Sequence, residues 1–418
     1  MKQTVVTPMD FGAAGDGIKD DSRAVIAAVE HAHARGVGEV LFPPGDYLLA
    51  GGESVRLYGD TLYRMDGARF IIRHDTAELF YAFESENPRN ITVTGGEIVG
   101  DPAWSRHNLA KFAAGTKNYI NIGGLRISGG ATQNVCIDGF AARDLTAAGI
   151  LVISKDENPV RRIRIENCEI LRASPNYADY LTETTAGALA CADWDTRANI
   201  FVKNAFDVEI TGCKAVESHC DGITLQKCEN ALVLDSSATA QHMGGIVLIG
   251  GRDIVVKNCS ATGNGSRGFT VEAQCQNSVL TQCTAAGNGR EGCWIDRGCR
   301  NITLVDLTFA ENGRKSDMAS NTTYPGNKTA HIRITKGRTG QKNADIKISG
   351  CRFATQNQRC SVEVEPDSLE GGPVVIAGCW FEVLAQAGAA YPAREHVEFL
   401  GHADAEAGDV ELIENAGI

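Results

Sequence analysis

Four consecutive stretches decide the fold: NAFDVEITGCKAVESHCDGITLQ (204–226), CENALVLDSSATAQHMGGIVLIG (228–250), GRDIVVKNCSATGNGSRGFTVEA (251–273) and CQNSVLTQCTAAGNGREGCWIDR (275–297). Each is one sentence repeated: a short apolar run, a small or thiol residue, a turn, then a glycine and a second alternating run. The glycines that open the second run, Gly222, Gly245, Gly268 and Gly292, are 23, 23 and 24 residues apart. Cys213, Ser237, Cys259 and Cys283 mark the first run at steps of 24, 22 and 24. A fixed period of this length marks a stacked repeat. Within each copy the pattern has period two, as in Ile223 and Leu225 against Thr224 and Gln226, which is strand periodicity. Runs this short, broken by Gly, Asn and Ser, leave no room for helices, and the L-x-x-L-x-L skeleton of leucine-rich repeats is absent. The expected fold is all-β: a right-handed parallel β-helix with two or three short strands per coil, each coil about 4.8 Å from the next.

Stacked coils bring like residues into ladders. Cys168, Cys213, Cys259, Cys283, Cys351 and Cys379 follow a strand in one motif, and Cys228, Cys275 and Cys299 form a second file. Those positions suit buried thiols rather than disulfides. Asn230, Asp253, Asn277 and Asn301 form a polar ladder at a turn before the first strand. No CxxC pair or His/Cys cluster marks a metal site, and no cofactor motif is present.

The chain has 418 residues, and a solenoid grows by adding coils, so one elongated domain is expected. A net charge of −12 argues against a nucleic acid partner. No apolar run is long enough to span a membrane. The opening MKQTVVTPMDFGAAGDG lacks the apolar core of a signal peptide, which implies an intracellular protein or a secreted one whose leader has been removed.

Residues 1–50 read as an N-terminal cap. Asp20 or Asp21 N-caps a helix from about Ser22 to Arg35, Gly36 stops it, and Val25, Ile26 and Val29 share a face. Such a helix covers the open end of a β-helix. The opening DFGA-x-GDG-x-x-DD (10–21) and G-x-x-x-x-PPG-x-Y (38–47) resemble the N-terminal segment of the pectate-lyase-like superfamily. Polygalacturonase-type glycoside hydrolases, alginate C5-epimerases and phage depolymerases share that segment. The resemblance implies the β-helix and a carbohydrate substrate, not one reaction. Of the N-T-D, D-D, G-H-G and R-I-K runs of the hydrolases, Cys220-Asp221-Gly222-Ile223 resembles the first and Arg333-Ile334-Thr335-Lys336 the last. Met243-Gly244-Gly245 and Ser266-Arg267-Gly268 stand where the middle two belong, and the epimerase run D-P-H-E is absent.

Coils are expected through residues 51–383, with insertions near 101–118, 173–200 and 313–329 emerging along one edge and carrying Trp104, Arg106, His107, Tyr177, Tyr180, Asp193, Trp194, Asp195 and Tyr324. Residues 384–418 lose the period and read as a C-terminal cap or interface arm. Outward positions of the second strand form two columns. The first is Leu151, Leu189, Thr224, Val247, Thr270, Trp294, Arg333 and Glu363; the second is Ile153, Cys191, Gln226, Ile249, Glu272, Asp296, Thr335 and Glu365. The charged part of this band is the candidate site. Asp221, Glu272, Glu291 and Asp296 are the candidate catalytic carboxylates. Trp294 and Trp194 are candidate sugar platforms, and His242, Arg267, Arg297, His331, Arg333 and Lys336 are candidate substrate-binding groups. Neighbouring coils put two acids about 5 Å apart and alternate coils nearly twice that, which allows either a retaining or an inverting glycosidase. The expected function is cleavage of glycosidic bonds in a poly- or oligosaccharide, as a glycoside hydrolase. The alternatives are a polyuronate lyase or C5-epimerase with His242, His331 or Lys336 as base, and a non-catalytic glycan-binding solenoid. A homo-oligomer, trimer or dimer, is compatible with each.

Overall fold

The computed structural model describes residues 5–73, 79–113, 120–173, 198–313, 330–337, 339–355, 361–365, 367–383, 397–399 and 410–417. The chain forms two compact units: an N-terminal one of Met1–Asp179 with Ala190–Cys220, and a C-terminal one of Tyr180–Leu189 with Asp221–Ile418.

Both units are parallel β-helices with three strands per coil. In the N-terminal unit, Gln133–Asp138, Ala141–Arg143 and Ile150–Ile153 make one coil. They pair in parallel with Val160–Glu166, Glu169–Leu171 and residues 200–203 of the strand Ala198–Thr211. Leu151 stands opposite Phe201 and Ile153 opposite Lys203. Phe201 and Lys203 therefore hold the column places expected for Leu189 and Cys191, which lie outside the described residues. The sequence could not show this, because no glycine opens that strand.

In the C-terminal unit the register follows the repeat. Thr224, Val247, Thr270, Trp294, Arg333 and Glu363 are successive partners, as are Gln226, Ile249, Glu272, Asp296 and Thr335. The glycines are required by close approach. A Cβ on Gly222, Gly245 or Gly268 would lie 2.7, 2.6 and 2.6 Å from the carbonyl oxygen of the next glycine in the file. Any side chain there pushes two coils apart.

Twelve cysteines are described, and all but Cys136 are buried. Cys213, Cys259 and Cys283 direct their thiols at backbone carbonyls of their own or the preceding coil. The turn ladder is present: Asn277 Nδ2 donates to Asp253 Oδ1 and Asn301 Nδ2 to Asn277 Oδ1, both at 3.0 Å. Asn230, Asp253, Asn277 and Asn301 all have φ near +50°, a left-handed turn that short polar side chains tolerate. A second ladder runs inside. Asn264, Asn288 and Asn312 are buried, and each donates to a carbonyl of the coil before, Ala238, Ala261 and Ala285. Asn288 Oδ1 and Asn312 Oδ1 accept the Asn264 and Asn288 side-chain amides at 2.8 and 2.7 Å.

Helix α1 (Ser22–Arg35) ends on Gly36 at φ 62°. Asp20 accepts the Ser22 amide, while buried Asp21 accepts the Ala14 and Gly15 amides, so the two aspartates divide the roles of helix start and turn anchor. Val25 and Val29 are buried with Ala24, Ala28 and Ala32, each valine contributing about 1.5–3 kcal/mol by leaving water. Ile26, expected on that face, is half-buried. A second helix, α2 (Pro102–Ala113), occupies the first insertion. The coil pattern also runs past the point where the sequence period fades: Val397–Phe399, Val410–Ile413 and Ala416–Gly417 pair in parallel with Val362–Val364, Val374–Ala377 and Trp380–Phe381. The expected arm from residue 384 thus carries strands of a further coil. Its period is hidden because spacing between strands, not strand pattern, has changed.

Candidate active site on the C-terminal unit

Strands Phe269–Glu272, Cys293–Asp296 and Ile332–Thr335, one per coil, carry the band. Two sets of charges form on it.

The first set centres on Glu291, just before Gly292. Its side chain is fully buried and meets three guanidiniums: Arg267 Nε at 3.1 Å, Arg290 Nη2 at 3.5 Å and Arg333 Nη1 at 3.6 Å. Burial alone would raise its pKa, but Arg290, Arg267 and Arg333 outweigh that and hold it at about 2. Arg333, also buried, binds Glu363 at 3.0 Å. Glu291 is thus a fully covered anion held among three arginines. Burial pushes the Arg267 guanidinium down to about 10, with Arg290 adding repulsion. The guanidinium carbon of Arg267 lies over the Trp294 ring, 3.6 Å from its centroid. That covers one face of the indole expected to be a sugar platform, and the mostly covered guanidinium lies over it instead.

The second set is Glu272, Asp296 and Arg297. Glu272 and Asp296 are register partners on adjacent strands. Arg297 pairs with Glu272 and, at 3.1 Å, with Asp296 Oδ2. Asp296 Oδ1 accepts the Thr335 hydroxyl at 2.6 Å, and Thr335 Oγ1 accepts the Trp294 indole N–H at 2.9 Å. Burial raises Asp296 to about 6 against the pull of Thr335 and Arg297. Its side chain is 2% exposed and that of Glu272 12%, so Glu272 is the carboxylate that solvent reaches. Gly337, at φ +57°, packs on Asp296: a Cβ there would lie 2.8 Å from both carboxylate oxygens.

The remaining candidates scatter. Asp221 is buried and accepts the Gly244 amide at 2.9 Å, two coils before Glu272, which holds a turn. His242 is half-buried near that turn. His331 is fully buried: its Nδ1 is 3.0 Å from Asn312 Nδ2, closing the inner asparagine ladder, with Phe309 and Phe353 rings 6.1 Å away. It is a core residue rather than a substrate ligand. Lys336 pairs with exposed Asp367 at 3.4 Å. Trp194, Tyr177, Tyr180, Asp193, Asp195 and Tyr324 lie outside the described residues. Among the described residues no group of three or more His, Cys, Asp or Glu gathers as a metal site. Sequence reasoning passed over Arg290, Thr335 and Gly337 as site residues. Arg290 and Gly337 each adjoin a named candidate, which was the available signal.

Residues 193–329 match the family model described as right handed beta helix region, and residues 5–69 the one described as rhamnogalacturonase A/epimerase, pectate lyase-like. Over 199 residues the chain is 27% identical to the uncharacterized protein YclG of Bacillus subtilis (strain 168), covering 42% of this chain and 32% of that protein. A stretch of 44 residues is 54% identical to mannuronan C5-epimerase AlgE1 of Azotobacter vinelandii, 10% of this chain and 3% of that one. The matched stretches thus span about a third or less of these relatives. Among solved structures, the A-module of the A. vinelandii mannuronan C-5 epimerase AlgE6 superposes with a TM-score of 0.71 at 14% identity, covering 98% of this chain and 99% of that one. The surface adhesin PfbA of Streptococcus pneumoniae gives 0.60 at 14% identity, with 99% and 92% covered. A hyperthermoactive exopolygalacturonase from Thermotoga maritima gives 0.55 at 13%, with 98% and 91% covered. At such identities the likeness is one of fold. The chain is a right-handed parallel β-helix protein whose opening segment is pectate-lyase-like.

Proposed function

We propose that the protein is a carbohydrate-active enzyme, a glycoside hydrolase that cleaves a poly- or oligosaccharide lying along the Glu272–Asp296 band. The observation that carries this reading is the carboxylate pair itself: two carboxylates in register on adjacent strands, sharing Arg297, one partly open and the other raised to about 6. Adjacent strands lie about 4.8 Å apart, close to the roughly 5 Å separation of retaining glycosidases. Glu272 meets the substrate as the nucleophilic member. Asp296, behind it, keeps its proton up to about pH 6. Arg267 on Trp294 and Arg297 line the sugar path.

A second reading, polyuronate lyase or C5-epimerase, draws support from the partly exposed guanidinium of Arg297 and from the epimerase likeness. In that reading the arginines neutralise a uronate, and His242 or Lys336 takes the C5 proton. One experiment separates them: the purified protein is incubated with a polysaccharide panel, and reducing ends and near-ultraviolet absorbance are followed together. Hydrolysis gives reducing ends alone, lysis gives both, and epimerisation gives neither while changing the uronate composition. Glu272→Gln is expected to cut turnover by about 10²-fold or more with an unchanged melting temperature. Full turnover in that variant removes the assignment, and no turnover on any glycan leaves a binding solenoid.

A further inference from the structure

With Asp296 ionised, the bonds that join Trp294, Thr335 and Asp296 run in one direction. An indole N–H donates and cannot accept, so Thr335 Oγ1 must be the acceptor of the 2.9 Å bond. A hydroxyl has one proton, and that of Thr335 is left for Asp296 Oδ1 at 2.6 Å. Thr335 and Asp296 are both buried and are register partners on adjacent strands. An oxygen already receiving a proton at that distance cannot carry one of its own along the same line. A proton on Asp296 leaves that bond intact when it sits on Oδ2, which lies 3.1 Å from Arg297 Nε but accepts no hydrogen bond from it.

We propose that Thr335 is a positioning residue: by committing its hydroxyl to Oδ1, it confines the carboxyl proton of Asp296 to Oδ2, on the side of Arg297 and Glu272, and it ties Trp294 to that choice. The charged groups around Asp296 are Glu272 from the preceding strand, Arg297 from the following turn, Arg267 over the indole, and Lys336 beside Gly337. Of these only Glu272 and Arg297 share a direct ion pair next to Oδ2. The consequence for turnover rests on the hydrolase reading, but the proton arrangement does not.

The test therefore has two arms. The Trp294 indole N–H resonance, assigned by its loss in Trp294→Phe, is followed against pH in the full chain. In the native protein it is expected to titrate with a midpoint of about 6 and to stop titrating in Asp296→Asn. Thr335→Val should uncouple the indole from that titration, and Thr335→Ser should restore it. On an active substrate, Thr335→Val should lower turnover at least tenfold and move the alkaline limb of its pH profile upward, with rescue by Thr335→Ser. An indole that still follows the titration in Thr335→Val overturns the proposal whatever the activity. Titration lost as expected, with no substrate found, upholds the relay and counts against the hydrolase reading alone.

Discussion

Each unit carries a ribbon of alternating arginines and carboxylates, and the two ribbons differ in burial. In the N-terminal unit Arg69 bridges Asp46 and Glu97, Arg143 bridges Glu97 and Asp144, and Arg172 bridges Asp144 and Glu217. Apart from Asp144 these side chains are about a third to a half exposed. In the C-terminal unit Glu291, Arg333 and Glu363 are essentially closed to water. The same residue types, stacked by the same coil geometry, thus make two different objects. Water screens the first ribbon, so each pair adds little. The second is desolvated, so removing one partner strands charge in a poor solvent.

Neutralising one carboxylate in each ribbon should expose the difference in burial most clearly. Glu291→Gln leaves Arg267, Arg290 and Arg333 without their shared anion and is expected to cost about 3–5 kcal/mol in urea unfolding. Glu97→Gln should cost under about 1 kcal/mol and less still at high salt. Equal losses would show that burial does not distinguish the ribbons.

Acid and neutral stability should separate the two buried acids of the C-terminal unit. Glu291, lowered to about 2, binds fewer protons folded than unfolded below its ordinary value of 4.5. Its contribution is present above 4.5 and lost as pH falls towards 2. Asp296, raised from 3.8 to about 6, binds more protons folded than unfolded, so stability falls as pH rises from about 4 to 6. Asp296→Asn should remove that second slope and raise stability at pH 7 by about 2–3 kcal/mol while abolishing turnover. Denaturant unfolding from pH 3 to 8 reads both slopes, and a native profile flat between pH 4 and 6 refutes the second.

A local effect is expected at the turn over the site. Gly337→Ala puts a Cβ against the Asp296 carboxylate at positive φ and should cost about 1–3 kcal/mol, whereas Gly340→Ala, at φ +66° with open space around it, should cost about 1 kcal/mol. Thermal unfolding of the pair isolates crowding at Asp296 from backbone strain alone.

Much of this was written in the repeat. The glycine file, the thiol files and the two outward columns follow from spacing, because parallel coils translate a sequence period into a spatial one. The inner ladder Asn264, Asn288, Asn312 was equally periodic but was masked by its Asn-Gly pairs, which read as turns. His331 looked like a neighbour of the charged strip because it precedes the strand Ile332–Thr335. Its side chain turns inward to Asn312 instead. Of the four candidate acids, spacing alone could not tell fixed Glu291 and turn-holding Asp221 from the Glu272–Asp296 pair.

What the amino acids alone determined is therefore the coil, its register and the column each side chain occupies, since alternation along a strand and glycine at close approaches are local matters. Which charges lost their water was decided only in three dimensions. Desolvation depends on groups brought from other coils: Arg333 onto Glu291, Thr335 and Gly337 onto Asp296, and Arg267 over Trp294.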